Sequence, residues 1–341
     1  MEYLFEYLMF LAQAVTVVVA IVLIASAIAS LSLKRQHVDH GHLEVRKLND
    51  RLQQLKDGIR HAILDPASFK KQHKTDNKTT KREAKANRKH PEKAKHRTFV
   101  LDFKGDLQAS RVDQLRTEIT AILTMAEKDD EVVVRLESPG GAVHGYGLAA
   151  SQLDRIRQRE VPLVVVVDKV AASGGYLMAA VADRILAAPF AVLGSIGVVA
   201  QIPNVHRLLK KHDVDVEILT AGKYKRTLTV LGENTAEGRE KFLEELEEVH
   251  TLFQEFVGSR RPQLNMDEVA TGEAWYGQRA IEHALVDEIS TSDEYLTRAC
   301  DERDVFEVQW VEHKKPIERL LAHVEGALDA ALEKIGFTGR G

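Results

Sequence analysis

Ser173 stands in the run Asp168-Lys169-Val170-Ala171-Ala172-Ser173-Gly174-Gly175-Tyr176, shortly after the apolar stretch Leu163–Val167. The apolar stretch reads as a buried strand, and the Ala-rich residues beyond Gly175 read as a helix. A serine at such a junction has its hydroxyl exposed on a sharp turn. It faces N–H groups that the first helical turn leaves unpaired, and it lies at the positive end of the helix dipole. That setting suits nucleophilic attack on a carbonyl. It suits an ordinary helix N-cap as well, and the stretch alone is compatible with both.

A nucleophilic serine needs a base. The chain has 14 histidines, but the Gly-x-Ser-x-Gly elbow that often accompanies a Ser–His pair is absent, because Ala171 holds the first glycine position. His206 and His212 share a helical stretch with Lys210 and Lys211, which reads as a solvated face. His144, close to the Gly140 turn, is the one histidine that competes for the role. The alternative is a lysine kept neutral by desolvation. Lowering its pKa from ~10.4 to ~7–8 costs roughly 4 kcal/mol. Lys225, in Ala221-Gly222-Lys223-Tyr224-Lys225-Arg226, is the candidate. Lys223 is its rival two residues away, and the adjacent Arg226 helps to depress Lys225. A basic surface loop accounts for the same residues.

The elements that must position these groups begin near residue 99. Expected strands are Phe99–Phe103, Glu131–Leu136, Leu163–Val167, Arg184–Ala187 and Val214–Leu219. Expected helices are Ala109–Ala126, Tyr146–Arg159, the stretch after Ser173, and Val205–His212. Repeated strand–helix units predict an α/β fold with a mostly parallel sheet. In such a sheet the loops after the strands share one edge, so the Gly140, Ser173 and Lys225 loops can converge. Beyond them the sequence predicts helices over Thr235–Val257 and Trp275–Leu285. An edge-type strand follows over Val305–Val311, then an amphipathic helix over Pro316–Ile335 with Ile317, Leu320, Leu321, Val324, Leu328, Leu332 and Ile335 on one stripe.

The residues before 99 differ in kind. Residues 7–33 carry no charge and as a helix span roughly 40 Å, enough for a ~30 Å bilayer core. A cleaved signal peptide is disfavoured by Glu2 and Glu6 ahead of the run and by its length, although Ala25-Ser26-Ala27 resembles a cleavage site. A single-pass anchor is expected, and Lys34, Arg35, Arg46, Lys47 and Arg51 favour a cytoplasmic body. His37, His40 and His42 read as a solvated juxtamembrane run and not as a metal site. Val45, Leu48, Leu52, Leu55, Ile59 and Ala62 form a short heptad seam, predicting a juxtamembrane helix within residues 34–65. Residues 66–98 form a basic linker expected to be disordered. Within it, residues 66–97 carry 12 Lys/Arg against Asp76, Glu83 and Glu92, a net of +9 that leaves about −13 on the rest of a chain of net −4. With Phe69 as its one aromatic, that tether suits anionic lipid better than nucleic acid. The lone cysteine, Cys300, excludes an intrachain disulfide.

Four motifs occur in order: Ser138-Pro139-Gly140-Gly141, Ala172-Ser173-Gly174-Gly175-Tyr176, Gly194-Ser195-Ile196-Gly197-Val198, and Gly222 followed by Lys225-Arg226-Thr227-Leu228-Thr229. Each is weak alone. Together, and with the N-terminal apolar run, they make the chain resemble the signal peptide peptidase A family of serine–lysine proteases, in its bacterial inner-membrane branch. The resemblance covers essentially the whole chain and is strongest over residues 99–290.

The resemblance implies roles residue by residue. Ser173 is the nucleophile and Lys225 the general base, and Ser195 orients the lysine amine. The N–H groups of Gly174 and of Gly140 or Gly141 form the oxyanion hole. It implies a Clp protease/crotonase-like spiral of ββα units over residues 99–300, followed by a C-terminal strand and helix over 301–341. No cofactor is called for, peptides such as cleaved signal peptides are the substrates, and the protein assembles as a homo-oligomeric ring. Clp proteases place a histidine about 25 residues after the serine; Val198 stands there in this chain. Some relatives work on the extracytoplasmic side, against the charge bias. Two other classes compete: a crotonase-type acyl-CoA enzyme, which would need carboxylates near the serine, and a non-catalytic membrane scaffold.

Overall fold

In the computed structural model of the chain, the described residues are 41–70, 73–76, 78, 82 and 96–312, with Met9 and Thr16. The chain divides into two units, residues 43–310 and residues 1–42 with 311–341. The described residues fall almost wholly in the first.

The chain order is β1 (Gly41–Lys47), α1 (Leu48–Ile63), β2 (Arg97–Lys104), α2 (Val112–Leu123), β3 (Glu131–Glu137), α3 (Val143–Gln158) and β4 (Leu163–Val167). It continues with β5 (Val170–Ala172), α4 (Gly174–Ala179), β6 (Arg184–Ala187), β7 (Val192–Gly194), α5 (His206–Lys211) and α6 (Ala236–Arg260). Last come α7 (Met266–Val269), β8 (Ala274–Tyr276), α8 (Gly277–Ala280), β9 (Glu288–Ile289), α9 (Ser292–Glu302) and β10 (Asp304–Glu312).

The seven-stranded sheet has the order β1-β10-β2-β3-β4-β6-β9, and its pairs from β10 to β9 are parallel. The fold is therefore α/β. Leu163-Val164-Val165-Val166-Val167 is buried along its whole length because both faces of the sheet are covered, the situation that gives parallel strands unbroken apolar runs. Leu101, Phe103, Val134, Leu136 and Val165 face α2, α3 and α4 through Ile119, Ile122, Leu153, Ile156 and Met178. The alternate residues Val100, Val133, Val164, Val166 and Leu186 pack with Leu48, Tyr295 and Leu296 of α1 and α9.

A second, three-stranded sheet, β5-β7-β8, stands beside the first. Neither β5 nor β7 is legible in the sequence: three residues such as Val-Ala-Ala have no period and gain their strand geometry from pairing. Trp275 and Tyr276, expected to open a helix, instead form β8, antiparallel to β7. A Cβ on Gly277 would lie 2.2 Å from the Ala188 carbonyl, so the chain turns there and the helix is only the short α8. Val214–Leu219, expected as a strand, is irregular and largely exposed; it has no strand partner, so its apolar alternation has nothing to pair with. Val305–Val311 is not an edge, because β1 covers β10. Within the expected juxtamembrane helix, residues 41–47 are β1; α1 buries Leu48 but leaves Leu55 and Ile59 of the seam exposed. Residues 66–70 and 73–76, expected as linker, are helical, started by Asp65, whose carboxylate accepts from the Ala67 and Ser68 N–H groups. The expected membrane span over 7–33 lies almost wholly outside the described residues, and the expected helix over 316–335 lies wholly outside them. Among the described residues no helix is long and apolar enough to cross a membrane.

Candidate active site

The small sheet brings both motif serines to one edge. In the parallel pair β5–β7, Ala172 is registered with Gly194, so Ser173 and Ser195 each leave the sheet one residue after a matched pair. On the other side of β5, Ser138 bridges Ala171 in parallel. The Ser138 N–H donates to the Val170 carbonyl at 2.8 Å, and the Ser138 carbonyl accepts from the Ala172 N–H at 3.0 Å. Three chain segments thus end side by side, with Ser173 in the middle.

Both serines adopt left-handed backbone, φ 51° each, a conformation that costs a non-glycine residue of order 1 kcal/mol or more. Hydrogen bonds hold them there: the Ser173 N–H donates to the Gly194 carbonyl at 2.8 Å, and the Ser195 N–H to the Glu273 carbonyl at 2.6 Å. The first bond ties Ser173 to the strand that delivers Ser195. Both residues are half-buried. The helix after Ser173 is short, and Ser173 makes no side-chain cap to it, which removes the N-cap explanation. Tyr176 anchors that helix by donating from its buried hydroxyl to the Leu285 carbonyl at 3.0 Å.

The glycines around Ser173 are fixed by close approach. Gly140 has φ 91°, and a Cβ there would lie 2.7 Å from Ser173 Cβ and 2.8 Å from the Gly174 nitrogen. A Cβ on Gly141 would lie 2.2 Å from the Leu107 carbonyl, and one on Gly174 2.4 Å from the Tyr146 ring. Of the three N–H groups expected to serve an oxyanion, that of Gly140 donates to the Ser138 hydroxyl at 3.1 Å. Those of Gly141 and Gly174 have no acceptor among the described residues.

Lys225 is placed differently. It is exposed, on a loop without regular structure, its N–H donating to the Gly222 carbonyl at 3.2 Å. The loop base is pinned by Asn204, which donates to the Thr229 and Gly232 carbonyls at 2.9 and 3.0 Å, and by Asn234, which accepts from the Thr229 N–H at 2.8 Å. No hydrogen bond joins Lys225 to Ser173 or Ser195 among the described residues. The rival Lys223 pairs with Glu237 at 2.9 Å. Tyr224 and then Glu237 push its pKa up, not down, so it is held as an ammonium. His144 is exposed on the first turn of α3 and makes no hydrogen bond to Ser173.

Comparison with known proteins gives this geometry a family. The model of the N-terminal part of peptidase family S49 matches residues 2–153, and the model of peptidase family S49 matches residues 155–306. A putative protease SohB from Buchnera aphidicola subsp. Baizongia pistaciae is 42% identical over 330 residues, 94% of each chain. This chain belongs to peptidase family S49. Its relatives there are of the SohB type: a probable protease SohB from Haemophilus influenzae is 61% identical over 221 residues, which cover 65% of this chain and 63% of that relative. Membership makes peptide-bond hydrolysis its class of reaction. A solved structure of a mutant 1510-N membrane-bound stomatin-specific protease, in complex with a substrate peptide, covers 68% of this chain and 98% of its own at 15% identity and a TM-score of 0.41.

Beside the Gly140 turn the buried hydroxyls of Ser138 and Tyr146 lie 2.6 Å apart, a contact that the sequence does not announce. In the sequence Ser138 figures only as the first residue of the Ser138–Gly141 turn motif, with no role for its hydroxyl, and Tyr146 only as the start of a helix.

Proposed function

We propose that this S49 member is a membrane-anchored serine endopeptidase working through a Ser173–Lys225 dyad. The observation that carries the reading is the held conformation of Ser173. It is a left-handed serine with no capping role, flanked by unengaged N–H groups of Gly174 and Gly141.

In the proposed reaction neutral Lys225, oriented by Ser195, takes the Ser173 hydroxyl proton as Oγ attacks the peptide carbonyl carbon. The carbonyl π electrons move to oxygen, and the oxyanion is met by the Gly174 and Gly141 N–H groups. The C–N bond breaks as Lys225 returns the proton to the leaving amine. Water, deprotonated by the Lys225 amine, then attacks the acyl carbonyl, and the ester C–O bond breaks as Lys225 returns the proton to Ser173 Oγ. No cofactor takes part.

Lys225 needs desolvation to be neutral near pH 7, and a neighbouring copy in a ring is the proposed source. Leu219 at 89% exposure, Val199 at 87% and Phe190 at 85% leave apolar surface on the segments flanking the serines and on the lysine loop, as a subunit interface requires. The Ser138, Ser173 and Ser195 segments, each leaving a parallel strand, fit a Clp/crotonase-like spiral. Exposed Leu107 and Val143 beside the Gly141 turn suit apolar peptides, signal peptides among them. Residues 7–33 are the proposed single-pass anchor in the bacterial inner membrane.

The test is activity and labelling of the full-length protein. Ser173→Ala and Lys225→Ala are each expected to lower kcat/KM for an apolar fluorogenic peptide at least about a thousandfold. A peptidyl phosphonate should label Ser173 alone. Substantial activity in Lys225→Ala would refute the lysine as base.

A further inference from the structure

We propose that Tyr146 and Ser138 are positioning residues: a buried hydroxyl relay that turns the Gly140 N–H away from the reacting carbonyl and leaves Gly141 and Gly174 as the oxyanion donors. The inference rests on the reading of Ser173 as nucleophile and deepens it, by deciding between two glycines that sequence left as alternatives.

The relay has a fixed direction. The Asp106 carbonyl can only accept, so the Tyr146 hydroxyl, at 2.8 Å, donates to it. With that proton committed, the Ser138–Tyr146 bond of 2.6 Å has Ser138 as donor. The remaining Ser138 lone pair accepts from the Gly140 N–H at 3.1 Å. The order is Gly140 N–H to Ser138, Ser138 to Tyr146, Tyr146 to the Asp106 carbonyl, with each proton used once. Both side chains are fully buried, and burial, the largest influence on it, raises the Tyr146 pKa, so the phenol keeps its proton. A buried hydroxyl chain of this kind is rigid because each unmade bond leaves a polar group without water.

Tyr146 also touches the second donor. Its ring lies where a Cβ on Gly174 would be, 2.4 Å from Cγ, and its hydroxyl lies 2.3 Å from where a Cβ on Gly105 would be. One side chain therefore supports Gly174 from behind through its ring and the Gly140–Gly141 turn through its hydroxyl. Ser138 is tied to Ala172, the residue before the nucleophile, through its carbonyl. Donor positions matter at the scale of a fraction of an ångström, since an oxyanion donor acts only at hydrogen-bond distance from where charge develops.

The experiment compares Tyr146→Phe, which keeps the ring and deletes the hydroxyl, with Ser138→Ala, which deletes the acceptor of the Gly140 N–H. Both are made in the full-length protein. A tri-leucine coumarin amide serves as substrate and a tri-leucine aldehyde as transition-state mimic, with active sites counted by phosphonate titration. Tyr146→Phe is expected to lower kcat per titrated site about tenfold with KM within about twofold, and to weaken the aldehyde by a matching factor. Ser138→Ala should do the same. A purely structural role would reduce the titrated fraction and leave kcat per site and aldehyde affinity unchanged; that result overturns the relay. If Tyr146→Phe does not fold, Ser138→Ala decides by the same criteria. Hydrolysis surviving in Ser173→Ala defeats the nucleophile assignment itself, which separates that failure from failure of the relay.

Discussion

Gly140 and Gly222 have nearly the same backbone, φ 91° and 101°, in opposite surroundings. A Cβ on Gly140 would strike Ser173 Cβ, the Ala172 carbonyl and the Gly174 nitrogen within 2.8 Å, whereas one on Gly222 would meet nothing within 4 Å. The first lies in the cradle around Ser173, where parallel registers, paired backbone and buried side chains fix every atom. The second lies on the loop that carries Lys225, pinned at its base and open at its tip. In the proposed reading the serine side of the site is built from one chain's own segments, and the lysine side is left open. A lysine acting as a base near neutral pH needs a dry environment, and the exposed Leu219 beside this loop is the apolar surface that the proposed neighbouring copy would cover.

Gly140→Ala breaks the comparison at its rigid end. The added carbon must displace the nucleophile or the Gly174 turn while occupying a strained φ, so about 1–3 kcal/mol of stability is expected to go. Activity should fall by about a thousandfold, because the attacking oxygen or an oxyanion donor of the proposed reaction is moved. Denaturant unfolding and kcat measured together check it; near-normal turnover would show that the cradle is softer than its contacts indicate.

The same contrast explains what the sequence could and could not reveal. Leu163–Val167 and Arg184–Ala187 were legible to the residue, because a run buried on both faces is apolar, throughout in the first and over Ile185–Ala187 in the second, where Arg184 is the exposed start. Ser173 was legible as a strand-to-helix serine. That three segments meet around it was visible only as a likeness of motifs, because β5 and β7 are three residues each and owe their existence to partners distant in sequence. Trp275–Leu285 misled for the same reason: its helical spacing lost to pairing of Ala274–Tyr276 with β7. Lys225 stands out through the Gly222-to-Lys225 motif of the resemblance, since its chemistry alone fits a basic surface loop equally well. The choice between Gly140 and Gly141 needed the Ser138 hydroxyl, since no pattern of residue types says which way an N–H points.

Gly222→Ala tests the open end. With space for the methyl group, the cost is the left-handed backbone alone, about 1 kcal/mol, and it falls on a loop outside the core. Global stability by denaturant should fall by no more than that, and turnover should drop only a few-fold as the turn that accepts the Lys225 N–H shifts. A loss as large as that of Gly140→Ala would mean that the Lys225 loop is as tightly specified as the cradle.

Lys223→Ala sharpens the division of labour between the two lysines and has the smallest effect. Tyr224 and Glu237 raise the Lys223 pKa, so it remains charged through the neutral range and supplies no titrating limb to the rate. If Lys225 is the base, kcat/KM rises with pH as Lys225 loses its proton, and that limb should survive in Lys223→Ala. Loss of the rising limb in Lys223→Ala would transfer the base to that residue, and would require the Tyr224 and Glu237 contacts to break in the working enzyme.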